Sequence, residues 1–133
     1  MRRVRRRRRT KASPASTAAY KIHKPAAQAL AEQKVAQWNQ LYNFPVGRVS
    51  IKNARTRWGS CSAKGNLNFN YKIALLPEHL ADYLVVHELC HIGQFNHSQA
   101  FWDLVAQAVP EYRERRAELK KWRPTKNTAP AGV

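Results

Sequence analysis

The residues best suited to chemistry stand together in His87-Glu88-Leu89-Cys90-His91, the pattern HExxH. On a helix, residues four apart share a face with Cβ atoms about 5–6 Å apart, so both imidazoles can reach one tetrahedral Zn2+ from the same side. Glu88 then lies about 100° around the helix from His87. That is close enough to take a proton from a water at the metal without ligating the metal itself. Val85, Val86, Leu89 and Cys90 flank these polar groups, so an ordinary solvated helix face is a poor account of them. A carboxylate buried alone is costly, whereas one facing a cation is not. Shuffling this composition would produce HExxH in about one chain per hundred, so the weight of the motif comes from its context. That context is a predicted helix ending at Gly93 in a left-handed cap, with another histidine beyond it.

A hydrolytic zinc takes three protein ligands and keeps its fourth position for solvent. His97, six residues past His91 and beyond the reversal at Gly93, is the preferred third ligand. Its rival is Glu111, twenty residues after His91, a spacing like that of zincins with a carboxylate on a later helix. Glu111 also has a sufficient role beside Pro110 at a helix N-terminus, where an acid is favourable. The step from His91 to His97 matches the metzincin pattern HExxHxxGxxH, but here the glycine is at 93 and the only methionine is Met1, so no Met-turn can follow. Zinc would lower the pKa of its water from 15.7 toward about 7, and Glu88 would take that proton and return it to a leaving amine. An extended substrate could add to the 66–70 strand through main-chain hydrogen bonds. Arg57 and Tyr83 are candidates for oxyanion support; Trp58, Cys61 and Cys90 read as packing, and His23 and His79 as surface residues.

The elements that must hold these groups follow from periodicity and punctuation. Pro25 stands at a first helical position, and Ala27, Leu30, Ala31, Val35, Trp38 and Leu41 recur behind it at three- and four-residue steps, predicting a helix of about 18 residues. Asn43 and Pro45 end it. Residues 46–57 read as extended, Ala63-Lys64-Gly65-Asn66 as a turn, and Leu67 and Phe69 as alternating strand positions, together an antiparallel β-hairpin. Pro77 and Glu78 open the HExxH helix, Ser98 caps a third, and Pro110 starts a fourth in which Glu111 and Arg115 form a surface pair. The expected class is α+β: an N-terminal helix, a small antiparallel hairpin or sheet, the HExxH helix and two C-terminal helices.

Composition bounds what the whole can be. A chain of 133 residues makes one domain, and 44% apolar residues is too many for a wholly disordered basic chain. Two cysteines cannot make a disulfide framework, which points to a reducing, cytoplasmic setting. The formal charge of +16 is unevenly placed: positions 2–11 hold seven Arg and Lys11, and the first acid is Glu32. Residues 1–19 therefore read as a disordered basic tail, 20–123 as the folded domain and 124–133 as a flexible end. Arg5, Arg6, Arg7, Arg8 and Arg9 could neutralise phosphates and give sequence-independent, salt-sensitive binding to nucleic acid, although no aromatics are interleaved for base stacking. No apolar core follows the arginines, which argues against a secretory signal; an organellar transit peptide is the alternative. Nothing approaches 18 consecutive apolar residues, so no membrane span is expected.

Three motifs in order, Arg57-Trp58-Gly59-Ser60-Cys61-Ser62, His87-Glu88-Leu89-Cys90-His91 and Asn96-His97-Ser98 followed by Phe101-Trp102, resemble the YgjP-like metallopeptidases, relatives of the SprT-like zinc proteins. The resemblance runs from about Lys21 to Trp122. It implies a minimal zincin with one Zn2+ on His87, His91 and His97 and with Glu88 as catalytic acid/base. It implies no particular substrate, and the arginine tail lies outside it. The expected function is a zinc metallopeptidase acting on a peptide or protein, associated with nucleic acid through its tail. The alternatives are a non-catalytic basic nucleic-acid-binding module with a zinc site, and a zinc hydrolase of a non-peptide bond.

Overall fold

The computed structural model describes residues 13–124. Its first helix, α1, spans Pro14–Tyr42 and starts well before the expected Pro25, which sits inside it. The Ser13 hydroxyl accepts from the Ser16 amide (3.0 Å), and Pro14 follows at the first helical position. Residues 14–19 thus belong to the fold and not to a tail. The reason is tertiary. Ser16 Oγ donates to Asn53 Oδ1 (3.1 Å), and the Tyr20 ring packs edge-on against Tyr71 at 6.0 Å. Pro25 removes one helical hydrogen bond, and the burial of Ala27, Ala31 and Val35 directly after it holds the helix together across that gap. The helix ends as expected at Asn43, which is left-handed with φ 56°.

Three short strands follow: β1 (Val49–Lys52), β2 (Gly59–Cys61) and β3 (Leu67–Asn70). The order is β1-β3-β2, with β1 parallel to β3 (Val49 opposite Leu67) and β2 antiparallel to it (Gly59 opposite Phe69). The expected hairpin of 46–57 with 66–70 is therefore wrong in its first arm. Alternation specifies which face of a strand is buried but carries no information on direction. Residues 53–66, with β2 among them, serve as the crossover that parallel strands require. The true hairpin is β2–β3, closed at Gly65 (φ 81°), where a Cβ would meet the Pro45 carbonyl at 2.7 Å. Asn70 ties the crossover down: its Nδ2 donates to the carbonyls of Ala54 (2.8 Å) and Arg57 (3.1 Å). Its Oδ1 accepts from the Lys72 amide and opens a 3-10 turn, Tyr71–Leu75, that periodicity does not reveal.

Helix α2 (Glu78–Gly93) runs through the centre, packed on α1, β2, α3 (Gln99–Ala108) and α4 (Tyr112–Lys121). Leu80, Leu84, Val85, Val86, Leu89 and Cys90 are all buried, so this helix is apolar on nearly every side, as a central helix must be. Gly93 is its last helical residue and not a left-handed cap. Glycine is needed there for space, since a Cβ would lie 2.8 Å from the Phe44 ring. Ser98 caps α3 through the Phe101 amide (3.4 Å). On α4, Arg115 donates to Glu118 (2.8 Å) in place of the expected partner Glu111. The α1–α2 contact is pinned by a buried cation: Lys34 Nζ lies 2.6 Å from Asp82, which also accepts from Trp38 Nε1 (3.1 Å). No described helix is long and apolar enough to cross a membrane.

Candidate metal centre

Helix α2 presents His87, Glu88 and His91 one turn from its C-terminal end, and the chain reversal after Gly93 returns His97 to the same spot from the loop before α3. One ring nitrogen from each of the three histidines lies within 4.8 Å of the others, and this is the one such group of three His, Cys, Asp or Glu donors among the described residues. His91 Nε2 and His97 Nε2 are 3.1 Å apart. A tetrahedron with zinc–nitrogen bonds of about 2.0–2.1 Å has edges of about 3.3–3.4 Å, so the pair is spaced to share an ion. Glu111 stands outside the group, at the start of α4. His79 instead pairs with Glu118 (2.7 Å), and His23 stacks on Tyr71.

The imidazoles are aimed by their other nitrogens and by α3. His91 Nδ1–H donates to the Gln94 carbonyl (3.1 Å), which leaves Nε2 as the free lone pair. The Tyr83 hydroxyl is hydrogen-bonded to His87 Nδ1 (3.2 Å) and holds the orientation of that ring. The fully buried Phe101 ring stacks under His91 (4.4 Å between centroids), and Trp102 lies beside His97 at 5.8 Å. The sequence stretch Phe101-Trp102 is thus the aromatic support of the site as well as core.

Burial also sets the charge states. His87 is pushed down to about 3, first by desolvation and then by His91, His97 and Arg116. His91 is lowered too, mainly by burial. Both are neutral at pH 7 and have lone pairs to donate. Glu88 is 6% exposed, and burial raises its carboxyl to about 7, against the opposing pull of Arg57. Burial and then Glu88 push the Cys61 thiol up to about 11; Cys90 is likewise raised to about 11 and faces the core as expected.

Two positions gain a meaning that spacing alone did not reveal. Gly59, read as part of a turn, lies on β2 directly against the carboxylate: a Cβ there would be 2.9 Å from Glu88 Cγ and 3.0 Å from its Oε2. Its only sequence signal was its place in the Trp58-Gly59 motif. Arg116, unremarked in the sequence, lies over the Trp102 ring (5.3 Å) and lines a cavity of about 270 Å³ with His87, Glu88, Tyr83 and Trp58. Of the two oxyanion candidates, Tyr83 is committed to His87, and Arg57 lines a neighbouring cavity beside Gly59. The 66–70 strand cannot take an added peptide strand, because it is the central strand of the sheet; the free edge next to Glu88 belongs to β2. Arg5 to Arg9 lie outside the described residues.

Comparison with known proteins places the chain in a family. The UTP pyrophosphatase of Escherichia coli (strain K12) is 28% identical over 69 residues, 52% of this chain. The match takes in 41% of that protein, well under half of its length. The structure of the metallopeptidase zymogen abylysin of Pyrococcus abyssi superimposes with a TM-score of 0.60 at 25% identity, covering 68% of this chain and 94% of that one. A family profile described as YgjP-like, metallopeptidase domain, matches residues 2–122, so its span includes the arginine-rich stretch that the motif resemblance left out. With that profile covering nearly the whole chain, and an α+β fold shared with a metallopeptidase, this protein belongs to the YgjP-like metallopeptidase domain family.

Proposed function

We propose that this protein is a zinc-dependent peptidase in which His87, His91 and His97 hold one Zn2+ and Glu88 handles the proton. The observation that carries the reading is the convergence of three ring nitrogens within 4.8 Å beside a buried carboxyl. The donor set fits the ion: three imidazole nitrogens converge, and His87 and His91 are neutral rings held by second hydrogen bonds, as suits zinc ligands. When bound, zinc supplies a Lewis acid that polarises the scissile carbonyl and acidifies water. Glu88, with a carboxyl near 7, can accept a proton from that water and hand it to the leaving amine. The Gln94 carbonyl keeps His91 in the tautomer that leaves Nε2 free, Tyr83 orients the His87 ring, and Trp58 and Leu84 give the cavity an apolar lining. The two cysteines, both free, fit a reducing cytoplasm. The test is metal content paired with casein hydrolysis. Glu88→Gln should keep a stoichiometric ion and lose turnover by a factor of about 100 or more, whereas His97→Ala should lose the ion. Loss of the ion in Glu88→Gln would refute the assigned role.

A second reading has a specific observation in its favour. A relative named UTP pyrophosphatase and a cavity lined by Arg116 and Lys120 beside Glu88 both suit a phosphoanhydride in place of a peptide. The two are separated by offering casein and UTP to the same preparation and following pyrophosphate release.

A further inference from the structure

Next to the cavity at His87 and Glu88 lies a larger one of about 440 Å³ that the chemistry above does not use. Arg55, Lys72, Lys120 and Arg123 line it together with the indoles of Trp58 and Trp122, and the two cavities share Trp58 and Lys120. None of the four cations has a carboxylate partner among the described residues, where the ion pairs fall on Lys34, His79 and Arg115. Glu88 is the sole acid lining either cavity. Four like charges around one concavity repel one another, and an anion placed among them relieves that repulsion. The indoles narrow the choice of anion. They meet edge to face at 5.5 Å, each half-buried, leaving aromatic surface toward the cavity. Phosphate on Lys and Arg beside a stacked base is the chemistry of nucleoside-phosphate recognition. An acidic peptide would use the cations and leave the indoles idle. The volume lies in the range of small-ligand pockets, about 300–1,000 Å³.

We propose that the cavity between Trp58, Trp122, Lys120 and Arg123 binds a nucleoside phosphate, with the base against the indoles and the phosphate chain directed by Lys120 toward Glu88. The inference deepens the non-peptide reading above, and because binding is measured on metal-free protein it stands or falls separately from the zinc assignment. The shared chemistry has two sources, a free nucleotide or the end of a single-stranded nucleic acid.

The experiment titrates full-length chain in EDTA with UTP, inorganic triphosphate and the tetranucleotide (dT)4, following tryptophan fluorescence and binding heat. UTP should bind about tenfold more tightly than triphosphate, the margin expected of a stacked base. Lys120→Gln with Arg123→Gln should weaken UTP by about tenfold. Both side chains are exposed, so the variant should keep its melting temperature, and its zinc content should equal that of the parent. UTP tighter than (dT)4 assigns the free nucleotide; the reverse order assigns nucleic acid. Triphosphate matching UTP, a polyglutamate peptide outcompeting it, or indifference to the double variant would each overturn the proposal. So would loss of UTP binding on deletion of residues 1–11, which would place the anion on the tail.

Discussion

Glu88 is a carboxyl held where water is scarce, and its consequences can be read from pH. Its folded pKa of about 7 lies above the ordinary value of 4.5, so between those limits the metal-free folded protein binds more protons than the unfolded chain. Stability from this group is therefore full below pH 4.5 and lost as pH rises to 7, a cost on the order of 3 kcal/mol. His87 runs the other way: lowered from 6.5 to about 3, it makes the unfolded chain the better proton binder, and stability falls as pH drops through that window. Glu88→Gln isolates the first effect. In chelator, the variant should gain on the parent steadily from pH 4.5 to 7 in urea melts, and a constant difference would refute the assigned burial. Gly59 makes a sharper local prediction. An alanine methyl 2.9 Å from Glu88 Cγ and 3.0 Å from the Asn68 carbonyl must push the carboxylate aside. Gly59→Ala should retain metal, lose turnover at least about tenfold, and cost about 1–3 kcal/mol in stability. The sequence showed His87, Glu88 and His91 because their spacing is local. It preferred His97 to Glu111 as a third ligand, but how close His97 comes to the pair depends on the turn after Gly93, whose geometry spacing does not encode.

Among elements, α2 was the most legible, since an apolar run with only His87, Glu88 and His91 as polar members must be central. The sheet was the least legible. Alternation marked 49–52 and 67–70 as strands, but their parallel pairing depends on the crossover through 53–66, which the buried amide of Asn70 anchors. The length of α1 was hidden for a similar reason: Pro25 is a start signal locally, and tertiary contacts, Tyr20 on Tyr71 and Ser16 to Asn53, extend the helix beyond it. The α1–α2 joint rests on Lys34 and Asp82, whose side chains are 7% and 22% exposed. Asp82→Ala leaves the buried Lys34 ammonium only the exposed, longer contact to Glu78 (3.4 Å) and deprives Trp38 of its acceptor. It should lower unfolding free energy by about 3 kcal/mol in urea titration, with an unchanged denaturant slope. Lys34→Met, which removes the charge and keeps the volume, should cost less.

At the scale of the whole molecule the charge is uneven: eight cations precede residue 12, and Arg55, Lys72, Arg116, Lys120 and Arg123 line the Trp58 cavities. The expectation that the N-terminal arginines neutralise phosphates is checked by deletion: if duplex DNA is bound through them, removing residues 1–11 should weaken that binding and flatten its salt dependence by several units of log–log slope. Casein turnover at the His87 site should be unchanged. A deletion that abolishes turnover would make the tail part of the catalytic apparatus. From the chain alone came the HExxH motif, its helical setting, the α+β class and the asymmetry of charge, because each is written in residue types and short spacings. Strand direction, the approach of His97 to His87 and His91, the closeness of Gly59 to Glu88 and the placing of Arg116 came only with the tertiary structure. Each depends on where separate segments meet in space, and no local pattern of apolar and polar residues specifies that meeting.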